Sequence, residues 1–318
     1  MLNPLRVAVV GAGAFGRNHV RVLHECAQVQ LAGVVDIVGE RASVAAAQFG
    51  SPAFTSHADL KGKVDAAIVA VPTSAHADVG CELLEAGIDI MVEKPIATDR
   101  ESARRLIDTA ERHGRILMVG HLERFNPGVI ALKKIVRMPL FFEVHRLSLF
   151  SPRSLDIDVV LDLMIHDLDI VLDMVGSAPE EVRAAGIRIL SEKVDIANVR
   201  LAFPSGCIAN LTASRVSTER VRKLRLFQPS QYISLDYSRQ EGAVFAVQGG
   251  QKIDFQMLPV EKNEPLKVEV EEFLDCVATR RTPTVSGRDG LRALDAALDI
   301  LAKIEEHAQL VARQLKSL

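Results

Sequence analysis

Cysteine is scarce in this sequence and never clustered. The 318 residues include four cysteines, Cys26, Cys81, Cys207 and Cys276, which lie far apart. No C-x-x-C pair or group of histidine with cysteine provides the spacing that a zinc site requires. Isolated cysteines of this kind are typical of buried thiols in a reducing compartment. We therefore expect no metal site and a cytoplasmic location.

Long apolar runs and strong net charge are also missing. A helix that spans a bilayer needs about 20 consecutive apolar residues, and even the apolar segment 159–175 is interrupted by Asp162, His166 and three further aspartates. The apolar run at 7–10 is too short for a signal peptide and leads directly into a glycine turn. The formal net charge is −3 and no basic run exceeds two residues. Nucleic acid and membrane surfaces are therefore not expected partners.

The overall composition and the length of the sequence favour two globular domains. A content of 48% hydrophobic and 25% charged residues is ordinary for a chain that buries a core. The length of 318 residues is about twice that of a common single domain. We place the domain boundary between residues 121 and 122, so that the domains are 1–121 and 122–318.

Residues 6–120 alternate short apolar runs with helical segments. This βαβ repetition, with strands that are apolar on both faces, predicts an α/β fold with a doubly wound parallel sheet. Thr98 and Glu101 have the spacing of a capping box, which predicts a helix from there to about Gly114. Asn126 followed by Pro127 predicts the start of another helix at the domain junction.

After Pro139 the pattern changes to period-two alternation, which predicts an α+β domain. Strands are expected at 141–149, 181–190, 195–203, 207–215, 223–228 and 232–237. Short turns between them favour one largely antiparallel sheet with an open face. One helix, 158–175, interrupts the strands and ends before Gly176, and helical spacing returns at 265–281 and 289–315.

Gly11, Gly13 and Gly16 form a G-x-G-x-x-G loop directly after a strand and at the start of a helix. In that position the glycines provide a tight turn, access of the backbone to a pyrophosphate, and close helix packing. Asp36 ends the next strand, where its carboxylate can accept hydrogen bonds from ribose hydroxyls. The negative charge of Asp36 disfavours a 2′-phosphate, and Ile37 adds no positive charge that would attract one, although Arg41 one turn later could. The prediction is therefore NAD rather than NADP.

Two further groups of residues have side chains that are suited to catalysis. Lys94, in the sequence Glu93-Lys94-Pro95 after an apolar strand, is either a solvated surface lysine or a group held in the ligand crevice. Asp162 and His166 are four residues apart on the predicted helix, either as part of a solvated polar stripe or as a buried site. A histidine there suits proton transfer to or from an alcohol.

Together with VPTSAH at 71–76, these motifs resemble the Gfo/Idh/MocA family of sugar oxidoreductases in order and spacing, over nearly the full chain. The resemblance implies that Lys94, His166 and Asp162 are catalytic. In the family the peptide that corresponds to Lys94-Pro95 is often cis. The cofactor contacts it implies, with those of the glycine loop, are Gly11, Gly13, Ala14, Phe15, Gly16, Asp36, Arg41, Pro72, Thr73, His76, Glu93 and Lys94. The substrate contacts are Lys94, Arg124, Asn126, Arg153, Asp162 and His166.

A narrower similarity, carried by segments between 120 and 217 such as GHLERFNP and TASRVS, is to a branch of that family. It implies oxidation of UDP-N-acetylglucosamine at C3 to a 3-keto sugar that a transaminase converts to the 3-amino sugar of lipid A. A diphosphate needs positive charge, for which Arg146, Arg153, Arg215, Arg222 and Arg225 are candidates, although a surface ion pair is the usual role of any one arginine.

Other functions remain open at this point. A dehydrogenase or reductase of another nucleotide sugar, a free sugar or a cyclitol would use the same cofactor and the same lysine and histidine. A non-catalytic NAD-binding regulatory module would need only the glycine loop. The open sheet face, with apolar residues expected from strands 207–215 and 232–237, also predicts a homo-oligomer, either a dimer or a tetramer.

Overall fold

The structure is a computed structural model, and it describes residues 4–150, 157–248 and 252–315. Contacts divide the chain into two compact units. The first consists of Met1–Leu122 with Glu264–Leu291, and the second of Glu123–Asn263 with Arg292–Leu318.

The first unit is the predicted doubly wound fold. Its parallel sheet has the strand order β3-β2-β1-β4-β5-β6, which is the Rossmann order. The strands are β1 Leu5–Val10, β2 Val29–Val35, β3 Ala53–Phe54, β4 Ala66–Val69, β5 Asp89–Glu93 and β6 Leu117–Gly120. The helices before β6 are α1 Ala14–Glu25, α2 Gly39–Ala47, α3 His76–Glu85 and α4 Arg100–His113. Every residue of β4 and β5 is buried, as expected for central strands that are covered on both faces.

The predicted capping box at the start of α4 is wrong in detail. The N-cap is Asp99, whose carboxylate accepts a hydrogen bond of 2.8 Å from the Ser102 amide. The Thr98 hydroxyl instead donates to Asp99. An aspartate at the N-cap accepts a hydrogen bond from a backbone amide that has no partner within the helix. Its negative charge also interacts favourably with the positive end of the helix dipole. The expected end of the helix at Gly114 is confirmed, since this residue adopts a left-handed conformation.

The second unit contains an eight-stranded sheet with the order β14-β13-β12-β11-β7-β10-β9-β8. All neighbouring strands are antiparallel except β7 and β10, so the expected largely antiparallel sheet is confirmed. The strands are β7 Phe141–Leu149, β8 Glu181–Ile187, β9 Ile196–Ala202, β10 Ile208–Ser217, β11 Val221–Gln228, β12 Gln231–Asp236, β13 Glu241–Gln248 and β14 Lys252–Met257. The helices are α5 Pro127–Ile135 and α6 Ile165–Val175, and later in the chain come α7 Pro265–Thr279 and α8 Gly287–Leu315.

Strands β13 and β14 were not predicted. Nearly all of β14 is exposed, so its sequence has no buried face that would impose alternation of apolar and polar residues. Edge strands of this kind are paired through their backbones, and side-chain patterns report them poorly.

The predicted second domain of 122–318 needs a correction, because 264–291 belongs to the first unit. Arg280 after α7 forms an ion pair with Asp89 at the start of β5. The first turn of α8 lies directly on β6, where a Cβ atom on Gly290 would be 2.7 Å from Val119. A segment distant in sequence therefore completes the covering of the parallel sheet, which helical periodicity alone does not reveal.

The central strands of the second sheet have one covered and one open face. In β10 the buried apolar residues are Ala209, Leu211 and Ala213, while Asn210 and Thr212 alternate with them and point to the other face. The apolar residues expected to form an exposed patch on 207–215 are therefore inside the core. The open face is apolar elsewhere, in a row of aromatic residues in direct cross-strand register: Phe141, Phe227, Tyr232, Phe245 and Phe255.

Within the described part of the chain, no helix is long and apolar enough to cross a membrane. Over the same residues, no three metal-ligating side chains are grouped so that they could hold a metal ion.

The contact of α8 with β6 generates a stability prediction. We expect Gly290→Val to lower the free energy of unfolding by about 1–3 kcal/mol, because the added side chain overpacks the contact with Val119. Urea denaturation followed by circular dichroism measures this change. Arg288→Ala is the control, since this exposed arginine pairs with Glu111 on the surface and its loss should change stability by less than about 1 kcal/mol. An unchanged Gly290→Val protein would contradict the assignment of 264–291 to the first unit.

Candidate functional site

The three loop glycines have three different steric environments. Gly11 has a φ of +103°, and a Cβ atom there would lie 2.4 Å from the Ala70 carbonyl oxygen. A Cβ on Gly16 would lie 1.7 Å from the Gly11 oxygen, so this glycine permits α1 to pack against the loop. A Cβ on Gly13 would meet nothing within 4 Å. The first and third glycines are thus required by the protein itself, whereas the second leaves open space beside the N-terminus of α1, where a pyrophosphate is bound in this fold.

Asp36 is held next to this loop. One carboxylate oxygen accepts a hydrogen bond from the Ala12 amide at 2.9 Å and the other from the Val38 amide at 2.9 Å. The carboxylate is only partly buried and each oxygen has a second lone pair. Asp36 can therefore accept from ribose hydroxyls while its position is fixed by the backbone. Ile37 beside it is 92% exposed and leaves no positive charge there.

His76, which we predicted to line the cofactor, contacts two backbone carbonyls inside the first unit. It is 1% exposed, and its ring nitrogens lie 2.9 Å from the Val71 carbonyl and 3.0 Å from the Pro95 carbonyl. Burial lowers the pKa of His76, while the two carbonyls oppose this shift. The side chain therefore links the VPTSAH loop to the Lys94-Pro95 turn. Pro72 and Thr73 precede it at a short 3-10 helix, Thr73–Ala75.

The Lys94-Pro95 peptide is cis, as the family resemblance implies. Glu93 before it, which we also predicted to line the cofactor, is 8% exposed. One of its oxygens lies 2.7 Å from Nε2 of His19 in α1, and the other accepts a hydrogen bond of 3.2 Å from the Lys94 amide. The Lys94 side chain is partly exposed at the carboxyl end of β5, the edge of a doubly wound sheet at which ligands bind.

In the second unit, Asp162 and His166 do not share one regular α-helix. Asp162 lies in a π-helical turn, Val160–Met164, which leads into α6, where His166 is the second residue. The predicted i and i+4 spacing on one face is therefore altered by the wider turn. Both side chains are partly exposed, while Met164 and Ile165 between them are buried. Single π-helical turns are rare and occur frequently at functional sites.

The other acidic residues of this helix are bound inside the unit rather than solvated. Asp167 makes a bidentate ion pair with Arg146, with distances of 2.7 and 2.9 Å. Arg146 also donates to Glu123 at 3.0 Å. Burial alone would lower the pKa of Arg146, but the charges of Asp167 and Glu123 outweigh it and raise the pKa. Asp169 and Asp173 form ion pairs with Arg124.

Two of the predicted substrate contacts are consequently engaged in the core of the second unit. The Arg124 side chain is 3% exposed. Asn126 caps α5 and donates to the Tyr237 carbonyl at 3.1 Å. The third, Arg153, lies outside the described residues. The interactions that the structure records for Arg124 and Asn126 are therefore with other residues of the second unit.

The arginines considered for a diphosphate fall into different groups. Arg146 is buried with its carboxylates, and Arg215 is 6% exposed and donates to the Val194 carbonyl at 3.1 Å. Arg225 pairs with Glu143 on the open face. Arg222 is half-buried, with a contact of 3.4 Å to Glu123 and a buried Nε that has no hydrogen-bond partner among the described residues.

Three residues near these motifs were missed by the sequence analysis: His19, Glu123 and Glu269. His19 and Glu269 occupy apolar stripes of α1 and α7, and Glu123 follows β6. A charged or titratable residue in an otherwise apolar helical stripe was the available signal for His19 and Glu269.

The comparisons with known proteins agree with this geometry. The model of the oxidoreductase family with an NAD-binding Rossmann fold, GFO_IDH_MocA, matches residues 5–121, and the GFO/IDH/MocA C-terminal domain matches 146–228. Over 314 residues the chain is 37% identical to UDP-N-acetylglucosamine 3-dehydrogenase of Acidithiobacillus ferrooxidans, covering 96% of this chain and 99% of that protein.

A solved structure of UDP-N-acetylglucosamine 3-dehydrogenase from Acidithiobacillus ferrooxidans matches with a TM-score of 0.91 and 36% identity, over 96% of this chain and 99% of that one. Inositol 2-dehydrogenase of Rhizobium meliloti is 26% identical over 96% of this chain and 98% of that protein. The matches to the family models and the sequence identity to a relative over 96% of this chain show that the chain belongs to the Gfo/Idh/MocA family of oxidoreductases, whose Rossmann domain binds NAD.

Proposed function

We propose that this enzyme oxidises the C3 hydroxyl of UDP-N-acetylglucosamine to a 3-keto sugar with NAD. The observation that carries the proposal is the 37% identity to UDP-N-acetylglucosamine 3-dehydrogenase, which extends over 96% of this chain and therefore over both units. The product is a ketone, the functional group that a transaminase converts to an amine. We place the enzyme before such a step in the synthesis of a 3-amino sugar for lipid A.

The cofactor site is assigned to the first unit. The open space at Gly13, the amides at the start of α1 and the fixed carboxylate of Asp36 fit a dinucleotide, with the pyrophosphate at the helix terminus and the ribose at Asp36. NAD supplies the hydride acceptor when it is bound. Asp36 repels a 2′-phosphate, and Ile37 supplies no counter-charge, which favours NAD over NADP.

The remaining chemistry is the removal of a proton from the sugar hydroxyl. We assign His166 as the group that accepts this proton, since the imidazole of histidine titrates near neutral pH. Lys94 assists as a positive charge that stabilises the oxygen as the proton leaves, and Asp162 holds a neighbouring hydroxyl of the sugar. Burial raises the pKa of Cys207 and Cys276 to about 11, which disfavours the reactive thiolate form of these two residues at neutral pH.

We also propose that the enzyme is a homo-oligomer that assembles through the open face of the second sheet. The row of five aromatic side chains has ring centroids 4.8–5.8 Å apart, and Phe255 at its end is 55% exposed. Ile253 and Met257 beside it are 70% and 59% exposed. A contiguous apolar surface of this kind is typical of a protein interface. A second copy of the chain presents the same row, as two-fold symmetry requires.

A cytoplasmic location completes the proposal. All four cysteines are free thiols, and three of them are buried. Free thiols are typical of a reducing compartment, in which NAD and nucleotide sugars are also found.

The substrate assignment is tested by trapping the product. We expect the purified enzyme with NAD to form a ketone from UDP-N-acetylglucosamine, captured with hydroxylamine and identified by mass spectrometry. Free N-acetylglucosamine should react far more slowly, because binding energy of the remote uridine diphosphate orients the reacting carbinol. Trapping is needed because oxidation of an alcohol by NAD gives little net absorbance change if the equilibrium is unfavourable.

The same assay includes myo-inositol, because a relative with 26% identity is an inositol 2-dehydrogenase. A ketone formed from the cyclitol or from free sugars, with UDP-N-acetylglucosamine unchanged, would replace the proposed substrate. Binding of NAD with no turnover of any of these compounds would instead favour a regulatory module.

The assigned proton-transfer residues are tested by substitution. We expect Lys94→Ala and His166→Asn each to lower kcat by about 10² to 10⁴, as is usual for loss of a positioned acid or base, while NAD affinity stays near that of the wild type. Lys61→Ala and His113→Asn are matched controls, because both residues are exposed. Steady-state kinetics and calorimetric titration with NAD measure the two effects. Near wild-type turnover in both active-site variants would exclude the assignment.

The oligomer is tested by placing charge in the aromatic row. We expect the wild type to be a dimer or tetramer at micromolar concentration, and Phe227→Lys/Phe255→Lys to dissociate to smaller species, because burying an unpaired charge in an interface is unfavourable. Light scattering coupled to gel filtration measures the mass, and Arg288→Ala on the first unit is the control. A monomeric wild type would rule out the proposed interface.

A further inference from the structure

A buried cluster of three titratable side chains lies beneath the Lys94 turn, and the proposed reaction does not use it directly. His19 comes from α1, Glu93 from the end of β5 and Glu269 from α7. Their exposed fractions are 0%, 8% and 0%. A group of this kind inside a Rossmann core is unfavourable unless its charges are matched, so its presence needs an explanation.

Glu93 is the centre of the cluster, and each of its two carboxylate oxygens has a partner. Nε2 of His19 lies 2.7 Å from one oxygen, and the Lys94 amide donates to the other at 3.2 Å. Gly120 is the register partner of Glu93 on β6, and a Cβ atom there would lie 3.2 Å from the carboxylate oxygen. The space for this carboxylate thus depends on a glycine. Both oxygens of this buried carboxylate thus have a polar partner.

Glu269 is the opposite case. It belongs to a buried stripe of α7 that otherwise carries Leu266, Val270 and Phe273. Neither of its oxygens has a hydrogen-bond partner among the described residues. Burial raises the pKa of Glu269 well above its usual value, and the neighbouring charge of Glu93 raises it further. Two neighbouring carboxylates in a low-dielectric interior each disfavour the ionised form of the other.

We propose that Glu269, as a neutral acid, and His19, as a hydrogen-bond donor, are positioning residues that keep Glu93 as the single buried anion of the cluster, and that this anion fixes the Lys94 turn. Phe15 of the glycine loop lies 6.4 Å from the His19 ring, centroid to centroid. The cluster therefore connects three parts of the first unit: the helix that follows the glycine loop, the turn that carries Lys94, and the later segment of α7.

The other charges near α7 are matched separately. Glu264 at its start forms an ion pair with Arg21 of α1, and Glu272 forms one with Arg281. Glu93 is the charged group that acts on Glu269 within the part of the chain the structure describes, and His19 and Lys94 flank Glu93. Titration of Glu269 should therefore report on this cluster.

The first test is spectroscopic and needs no substrate, so it is independent of the proposed function. The infrared spectrum of the wild type at neutral pH should contain a protonated-carboxyl C=O band that is absent from Glu269→Gln. Equal spectra of the two proteins in that region would show that Glu269 is ionised and would overturn the proposal.

The second test follows stability against pH and has a definite sign. The folded pKa of Glu269 is raised, so its neutral form contributes stability at low pH that is lost as pH rises toward that pKa. The isosteric amide in Glu269→Gln cannot titrate. The melting temperature of Glu269→Gln minus that of the wild type should therefore increase from about pH 5 to about pH 9. A constant or decreasing difference would contradict a neutral Glu269.

The third test separates positioning from mere packing, and its turnover assay rests on the proposed function. Glu269→Gln should keep turnover within about twofold at neutral pH, whereas Glu93→Gln and His19→Phe should each lose about 10- to 100-fold, as expected for a displaced reacting group. His19→Gln, which retains a donor, should recover part of the loss relative to His19→Phe. Equal losses in Glu269→Gln and Glu93→Gln, with both proteins folded, would show that Glu269 acts as an anion and refute the assignment.

Discussion

Charges buried inside each unit have to be matched by partners at hydrogen-bond distance, and this constraint determines where the functional segments lie. Arg146 on β7 is 1% exposed and is surrounded by Asp167 and Glu123. Removing one partner of such a buried pair costs about 3–5 kcal/mol, because the remaining charge is left in a low dielectric. Asp167 therefore fixes the rotation of α6 about its axis, and the adjacent His166 inherits that orientation.

The first unit obeys the same constraint with fewer formal charges. His76 is held between the carbonyls of Val71 and Pro95, and Glu93 between His19 and the Lys94 amide. Both sets of bonds end at the Lys94-Pro95 turn. Three segments that are separate in the sequence, α1, the VPTSAH loop and the end of β5, are thus bonded to one turn. A rigid support of this kind is what a positioned proton-transfer group requires.

The sheet of the second unit divides its two faces between different tasks. The covered face packs the core around residues such as Phe142 and Leu224, while the open face carries the aromatic row. Strand alternation makes this separation possible, since neighbouring residues point to opposite sides. A polar row that includes Glu143 and Arg225 lies two residues along the strands from the aromatic row. The aromatic row and this polar row therefore occupy different positions along the strands of the open face.

The sequence by itself determined the fold class, the glycine loop, Asp36 and the family, because hydrophobic periodicity and short motifs are local properties of the chain. Tertiary structure alone decided which polar residues are buried. It placed His76 and Glu93 inside the first unit, Arg124 and Asn126 inside the second, and residues 264–291 with the Rossmann sheet. The physical reason is that pairing depends on residues far apart in sequence, such as Arg146 with Asp167 or His19 with Glu93, and no local pattern encodes the distance between them.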